Sequence, residues 1–222
     1  MSQSIMRLVI PRGIVYHRLI TDILSLIKSC FTKINNTEQI NKFERQFADY
    51  LHCDHCIAFP FARTAIYSAL KAQNLAASSQ IIMPPITIKA ILDVILELKL
   101  QPVFVDIDPD TLCFDVTQLE AAITDNTQAI LITYLFGMVP DMQKLIDLCR
   151  QKKLFIIEDF SQCLNGKYNN QPVGSFGDLG IYSASSIKTL DTYGGGLAVT
   201  NNSKIASQLR SSQAALAPPS RK

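Results

Sequence analysis

The stretch LFIIEDFSQ, residues 154–162, runs through four apolar residues and stops on two carboxylates. A strand apolar at successive positions has both faces buried, which means a sheet covered by helices on each side. The same kind of run recurs at CIAFP (56–60), QIIMP (80–84), PVFVDI (102–107), AILITYL (129–135), LGIYSA (179–184) and GLAVT (196–200). Helical patterns lie between most of them: RTAIYSALKAQ (63–73), IKAILDVILEL (88–98), VTQLEAAI (116–123) and DMQKLIDLCRQK (141–152). The alternation predicts an α/β fold of three layers, a mainly parallel sheet with helices on both faces. Ligands of such sheets gather at the carboxyl ends of the strands. That rule singles out Arg63 and Thr64, Pro84 to Thr87, Asp106, Asp159 and Gln162.

Ahead of the first strand, NNTEQINKFERQFADYL (35–51) sets Ile40, Phe43, Phe47 and Leu51 at helical spacing behind Thr37, a candidate cap. LITDILSLIKSCF (19–31) reads as an amphipathic helix with Asp22 and Lys28 on its wet side. At the other end SKIASQLRSSQAALAPPSRK (203–222) reads as a helix running into Pro218 and Pro219. The expected division is an N-terminal arm and helix (1–34), a large domain (35–215) and a tail (216–222).

The 222 residues are 48% hydrophobic and 18% charged, with a net charge of +2, as in an ordinary globular protein. No basic block suggests nucleic acid, and no apolar run approaches the roughly 20 residues that span a bilayer. Six cysteines and the absence of a secretory pattern predict free thiols in the cytoplasm. HCDHC (52–56) gathers two histidines and two cysteines, but no second ligand pair follows at zinc spacing, so no metal is expected. FVDIDPD (104–110) fits a strand end and turn better than a magnesium site. GSFGDLG (174–180) is too loosely spaced for a dinucleotide loop.

Three stretches carry chemistry. Asp159, at the end of a buried strand, either caps a following helix or sits in a dry crevice, where a carboxylate needs a cationic partner. A protonated pyridine nitrogen is one such partner. FARTAIYSAL (61–70) is a strand-to-helix junction, where free N–H groups and the helix dipole seat a phosphate. Thr64 and Ala65 would supply the donors and Arg63 the charge. In GSFGDLGIYSASSIK (174–188), Ser183 lies five residues before Lys188, and the glycines of YGGG (193–196) permit backbone angles other residues avoid. A desolvated lysine near other cations becomes nucleophilic toward an aldehyde. Together these are the parts needed to hold pyridoxal phosphate.

The run from PVFVDIDPDTLCFD (102–115) through EDFSQCLNGKYNNQPVGSFGDLGIYSASSIKTLDTYGGGLAVTNN (158–202) resembles the DegT/DnrJ/EryC1/StrS aminotransferases, fold type I pyridoxal phosphate enzymes. The resemblance covers roughly residues 35 to 215. It implies that Lys188 forms the Schiff base and shuttles the proton, and that Asp159 pairs with the pyridine nitrogen. Gln162 would contact the ring hydroxyl, and Ser183, Thr64 and Ala65 the phosphate. The implied reaction moves an amino group from an amino acid such as glutamate to a keto sugar, a nucleotide-linked one by expectation, in a homodimer.

Several features depart from the family pattern. An aromatic commonly covers the ring in the segment written here PPITIKAIL (84–92), where this chain offers Ile88. Ala184 and Ser185 replace an aromatic and a histidine. Lys188 is kept, which disfavours the dehydratase branch. Relatives carry a further small C-terminal domain, so the sequence is expected to hold the large domain only. The competing expectation is a non-catalytic remnant. Lys89 and Arg12 are candidate substrate contacts.

Overall fold

A computed structural model describes residues 19–31 and 37–216. Its seven-stranded sheet runs in the order β1(His55–Phe59), β9(Gly196–Thr200), β8(Leu179–Ser183), β5(Phe155–Asp159), β4(Thr127–Thr133), β2(Gln80–Met83), β3(Gln101–Phe104). Neighbours from β8 to β3 pair in parallel, while β9 is antiparallel to both β1 and β8. The single reversed strand follows from its connection, since only residues 184–195 separate β8 from β9 and no crossover helix intervenes. Each expected strand is present. The third ends at Phe104, not at residue 107, because Asp108 accepts the amides of Asp110 and Thr111 and turns the chain.

Side chains alternate across the sheet and define its two covered faces. On one face Ile57, Leu131, Ile157 and Ile181 pack under α3(Ala62–Ala72), α4(Lys89–Glu97) and α7(Ser203–Ala214). On the other, Ile130, Ile132, Ile156 and Tyr182 pack under α2(Thr37–Leu51), α5(Val116–Ala122) and α6(Met142–Gln151). This is the expected three-layer α/β architecture. Side-chain caps start three of these helices: Asp115 for α5, Asp141 for α6 and Asn202 for α7. Thr37 is the first residue of α2.

Two features escaped the sequence reading. A short hairpin, β6(Lys167–Tyr168) with β7(Gln171–Pro172), turns on Asn169 and Asn170, both with positive φ. That pair of left-handed residues is the geometry of a tight two-residue hairpin turn, and asparagine tolerates it. The second is a bidentate contact between Arg210 of α7 and the buried Glu44 of α2, at 2.9 and 2.7 Å. Glu44 also accepts the Ala58 amide at 2.7 Å, tying both helices to the edge strand β1.

The N-terminal helix α1(Leu19–Phe31) forms as expected, with no residue buried. Among the described residues no helix is long and apolar enough to cross a membrane. Arg12, Pro218 and Pro219 lie outside the described residues.

Candidate active site

The carboxyl ends of β1, β5 and β8 meet at one edge of the sheet, and each delivers part of the candidate site. Asp159 ends β5, beside Ile181 of β8 on one flank and Thr133 of β4 on the other. It is half-buried, and its carboxylate accepts the Ser161 amide at 3.0 Å. Burial pushes its pKa up, opposed by bonding to Ser161 and by the charge of Lys188. No helix follows β5, so Asp159 caps none; the chain turns through Cys163 and Gly166 toward the hairpin. Gln162 lies in that turn, and its Oε1 accepts the Phe136 amide at 3.1 Å.

Ser161 sits between the two strand ends. Its buried hydroxyl accepts the Ser183 amide at 2.9 Å, joining the end of β5 to the end of β8. Beyond Ser183 the chain leaves the sheet in a loop that closes on Ala184. The Ala184 carbonyl takes the amides of Thr192 and Gly194, and its own amide donates to Gly195. Lys188, half-buried, is at the top of this loop, with its amide on the Ser185 carbonyl. Fully buried Tyr182 anchors the far limb, its hydroxyl accepting the Leu190 amide at 2.8 Å. The lysine is thus presented by a braced loop, which answers why it sits among small residues.

The three glycines bring in the third strand end. Gly194 and Gly195 have φ of +140° and +113°. At Gly196 a Cβ would lie 2.2 Å from the Ala62 nitrogen and 2.4 Å from the Phe61 carbon. Glycine is required there because the start of α3 packs directly on that backbone. The junction at 61–65 differs from expectation in its donors. The Thr64 and Ala65 amides both donate to the Phe61 carbonyl within the first turn, at 3.0 and 3.3 Å. Arg63 lays its guanidinium over the Phe61 ring, 4.0 Å from the centroid. What Thr64 offers a ligand is therefore its hydroxyl, together with the positive end of the α3 dipole.

Ile88 caps α4 without a side-chain bond and is 63% exposed, free to cover a ligand. Lys89 pairs with Asp93 at 2.6 Å on the exposed side of α4. Asp106 donates nothing to the site: its Oδ1 accepts the Ile107 amide. In HCDHC both thiols are buried, and burial pushes Cys53 up to about 11 and Cys56 higher still. One surface concavity lies between α2 and the site loop, lined by Ala184, Thr192 and Gly194, and another between α2 and α7.

The structure separates the two carboxylates of the Glu-Asp pair by strand alternation. Glu158 faces the opposite layer, fully buried, and accepts the amides of Gly174, Phe176 and Gly177 at 2.7, 2.7 and 2.6 Å, along with the Tyr134 hydroxyl. Burial pushes its pKa up, and these four donors oppose that. The glycines of GSFGDLG serve the same clasp. A Cβ at Gly180 would lie 2.2 Å from the Gly174 carbonyl, and one at Gly177 2.8 Å from Ile156. Asp178 completes it by accepting the Ile156 amide at 2.8 Å and Arg150 at 2.6 Å. The signature carried both by Glu158 and by these glycines is a device for seating β8 against β5.

One polar atom in this region is unmatched. Among the described residues, the Oγ1 of Thr133 is the only buried side-chain nitrogen or oxygen without a hydrogen-bond partner.

Comparison with known proteins places the chain in a family. The profile of the DegT/DnrJ/EryC1/StrS aminotransferase family matches residues 20–215. The chain belongs to that family. It is 34% identical over 168 residues to an L-glutamine:2-deoxy-scyllo-inosose aminotransferase from Streptomyces kanamyceticus, covering 76% of this chain and 39% of that one. It is 33% identical over 166 residues to the GDP-perosamine synthase of Escherichia coli O157:H7, covering 75% and 46%. A crystal structure of a family member from Brucella abortus superposes with a TM-score of 0.78 at 30% identity, covering 86% of this chain and 53% of that one. The chain therefore spans about half the length of the relatives it matches.

Proposed function

We propose that the protein is the coenzyme-holding part of a pyridoxal phosphate-dependent aminotransferase. It would move an amino group from an amino acid such as glutamate to a keto sugar, with a nucleotide-linked sugar as the acceptor class. The observation that carries this reading is the convergence of Asp159 and Ser183 at the joined ends of β5 and β8, with the Lys188 loop rising from the same edge. Burial pushes the Asp159 pKa up, opposed by bonding to Ser161 and by the charge of Lys188. Such a carboxyl suits a cationic ring nitrogen, because a second positive charge at that point would return it to its ionised form. Names among the relatives support the substrate class, through an inosose aminotransferase and a GDP-perosamine synthase. With Lys188, Asp159, Gln162 and Ser183 all present, nothing favours a non-catalytic remnant.

Pyridoxal phosphate, when bound, supplies the electron sink that this reaction needs. Lys188 would hold the coenzyme through its amine and would carry the proton at the donor's α-carbon. Its loop, tied at Ala184 and Leu190, fixes where the amine can reach. Asp159 keeps the ring nitrogen protonated. Gln162, whose Oε1 accepts the Phe136 amide, would contact the ring hydroxyl. Ser183, Thr64 and the Ala65 turn of α3 would receive the phosphate, with Arg63 as a nearby charge, and Ile88 would cover the ring by aliphatic contact.

Within the same reading the protein works as a cytoplasmic homodimer. Ile86, Phe104, Phe136 and Ile187 are exposed around the strand ends, the apolar rim that a second subunit would cover. Sedimentation showing only monomer at micromolar concentration would contradict this. The activity itself is tested by giving the coenzyme-loaded protein glutamate alone. The expected result is conversion of the bound pyridoxal form to the pyridoxamine form, read from its absorbance. A protein that takes up no coenzyme refutes the proposal.

A further inference from the structure

We infer that Thr133 is a positioning residue for the Asp159 carboxylate, the hydroxyl that completes its hydrogen bonding once the coenzyme is in place. The inference rests on the coenzyme reading above and deepens it.

Thr133 and Asp159 are register partners at the ends of the parallel strands β4 and β5. Partners in a ladder project to the same side of the sheet. The alternation fixes which side. Ala129 and Leu131 of β4, and Ile157 of β5, belong to the layer under α3 and α4, and Thr133 and Asp159 continue those two rows. Ser183 continues the row of Leu179 and Ile181 on β8 in the same way. Three polar side chains thus end three neighbouring rows on the face where α3 begins.

Adjacent strands lie about 4.8 Å apart, so a threonine hydroxyl is within a rotamer change of its neighbour's carboxylate. An ionised carboxylate offers about four lone-pair sites. On Asp159 one oxygen takes the Ser161 amide, which leaves room for a further donor. The Thr133 Oγ1 is fully buried and bonded to nothing among the described residues. A buried hydroxyl without a partner costs stability in that state, and a state that supplies an acceptor is favoured by the same amount. Valine would fill the same volume without that penalty. A coenzyme whose ring nitrogen holds Asp159 as an anion would make it the stronger acceptor for this hydroxyl.

The two roles open to this hydroxyl predict opposite signs. If it waits for the coenzyme-bound state, Thr133→Val leaves the unfolding midpoint of the coenzyme-free chain unchanged or higher. It then weakens pyridoxal phosphate binding about tenfold, and Thr133→Ser restores affinity to within about twofold of the parent. Binding is read by fluorescence titration with pyridoxal phosphate, and stability by urea unfolding without it. Unchanged affinity in Thr133→Val, or a lowered midpoint for the coenzyme-free variant, overturns the assignment. Failure of the parent chain itself to bind is a separate result, which refutes the coenzyme reading and this inference with it.

Discussion

Replacing Lys188 by alanine is expected to reduce amino-group transfer by at least about 10³-fold while leaving the fold intact. The magnitude follows from losing both the covalent hold on the coenzyme and a positioned proton carrier, the latter alone contributing 10²–10⁴-fold. The fold is spared because Lys188 contributes no hydrogen bond to the core from its side chain. The loop is braced instead by backbone bonds at Ala184 and by Tyr182 on Leu190. A surface-like truncation of this kind changes stability by no more than about 0.5 kcal/mol. Coenzyme still associates through Asp159 and the phosphate seat, but reversibly. Dialysis and borohydride treatment separate the two forms of binding: the parent retains the label and the variant loses it. A variant that retained both label and transfer activity would remove Lys188 from the chemistry.

The largest effect on stability is expected at Glu158, not at the site itself. Glu158→Ala strips the acceptor from three backbone amides and the Tyr134 hydroxyl in a fully buried pocket. Unsatisfied donors and a cavity together cost about 3–5 kcal/mol, which for a chain of this size lowers the melting temperature by about 10 °C. Glu158→Gln is the informative comparison. It keeps the volume and one acceptor oxygen but turns an NH2 toward amides that are themselves donors, so it recovers only part of the loss. The Gly174–Gly177 segment then loosens, and with it the seating of β8 against β5. Coenzyme affinity should fall in both variants in proportion to that loss. Full stability in Glu158→Ala, measured by urea unfolding, would show that the clasp contributes nothing.

Local pattern carried the fold. GLAVT (196–200) is buried at every position and FIIED (155–159) at its middle three, as strands covered on both faces must be. The layers could be anticipated for the same reason, since α3 and α6 show apolar faces at helical spacing. The reversed direction of β9 was also present in the short connection, although it was not drawn out.

What stayed hidden depends on partners far apart in the chain. Glu158 looks like a companion to Asp159, and only strand alternation together with the path of residues 174–177 reveals it as a clasp. The joint made by Ser161 and Ser183 and the Arg210–Glu44 contact are invisible for the same reason: they span 22 and 166 positions. The Thr64 and Ala65 amides are committed to the Phe61 carbonyl, which local sequence does not reveal. The first turn of a helix leaves only some of its N–H groups free, and which ones depends on where the helix begins, a boundary local pattern sets poorly. Asn169-Asn170 was a usable signal for the hairpin, passed over because its strands are only two residues long.

The proposed chemistry requires one aromatic coenzyme held between the amine of Lys188 and the carboxylate of Asp159. A crystal structure of the chain grown with pyridoxal phosphate measures it directly. The predicted result is continuous density from the lysine Nζ to the coenzyme's aldehyde carbon, with the ring nitrogen within hydrogen-bonding distance of Asp159. Coenzyme bonded to another lysine, or a ring nitrogen facing solvent with Asp159 turned away, would contradict it.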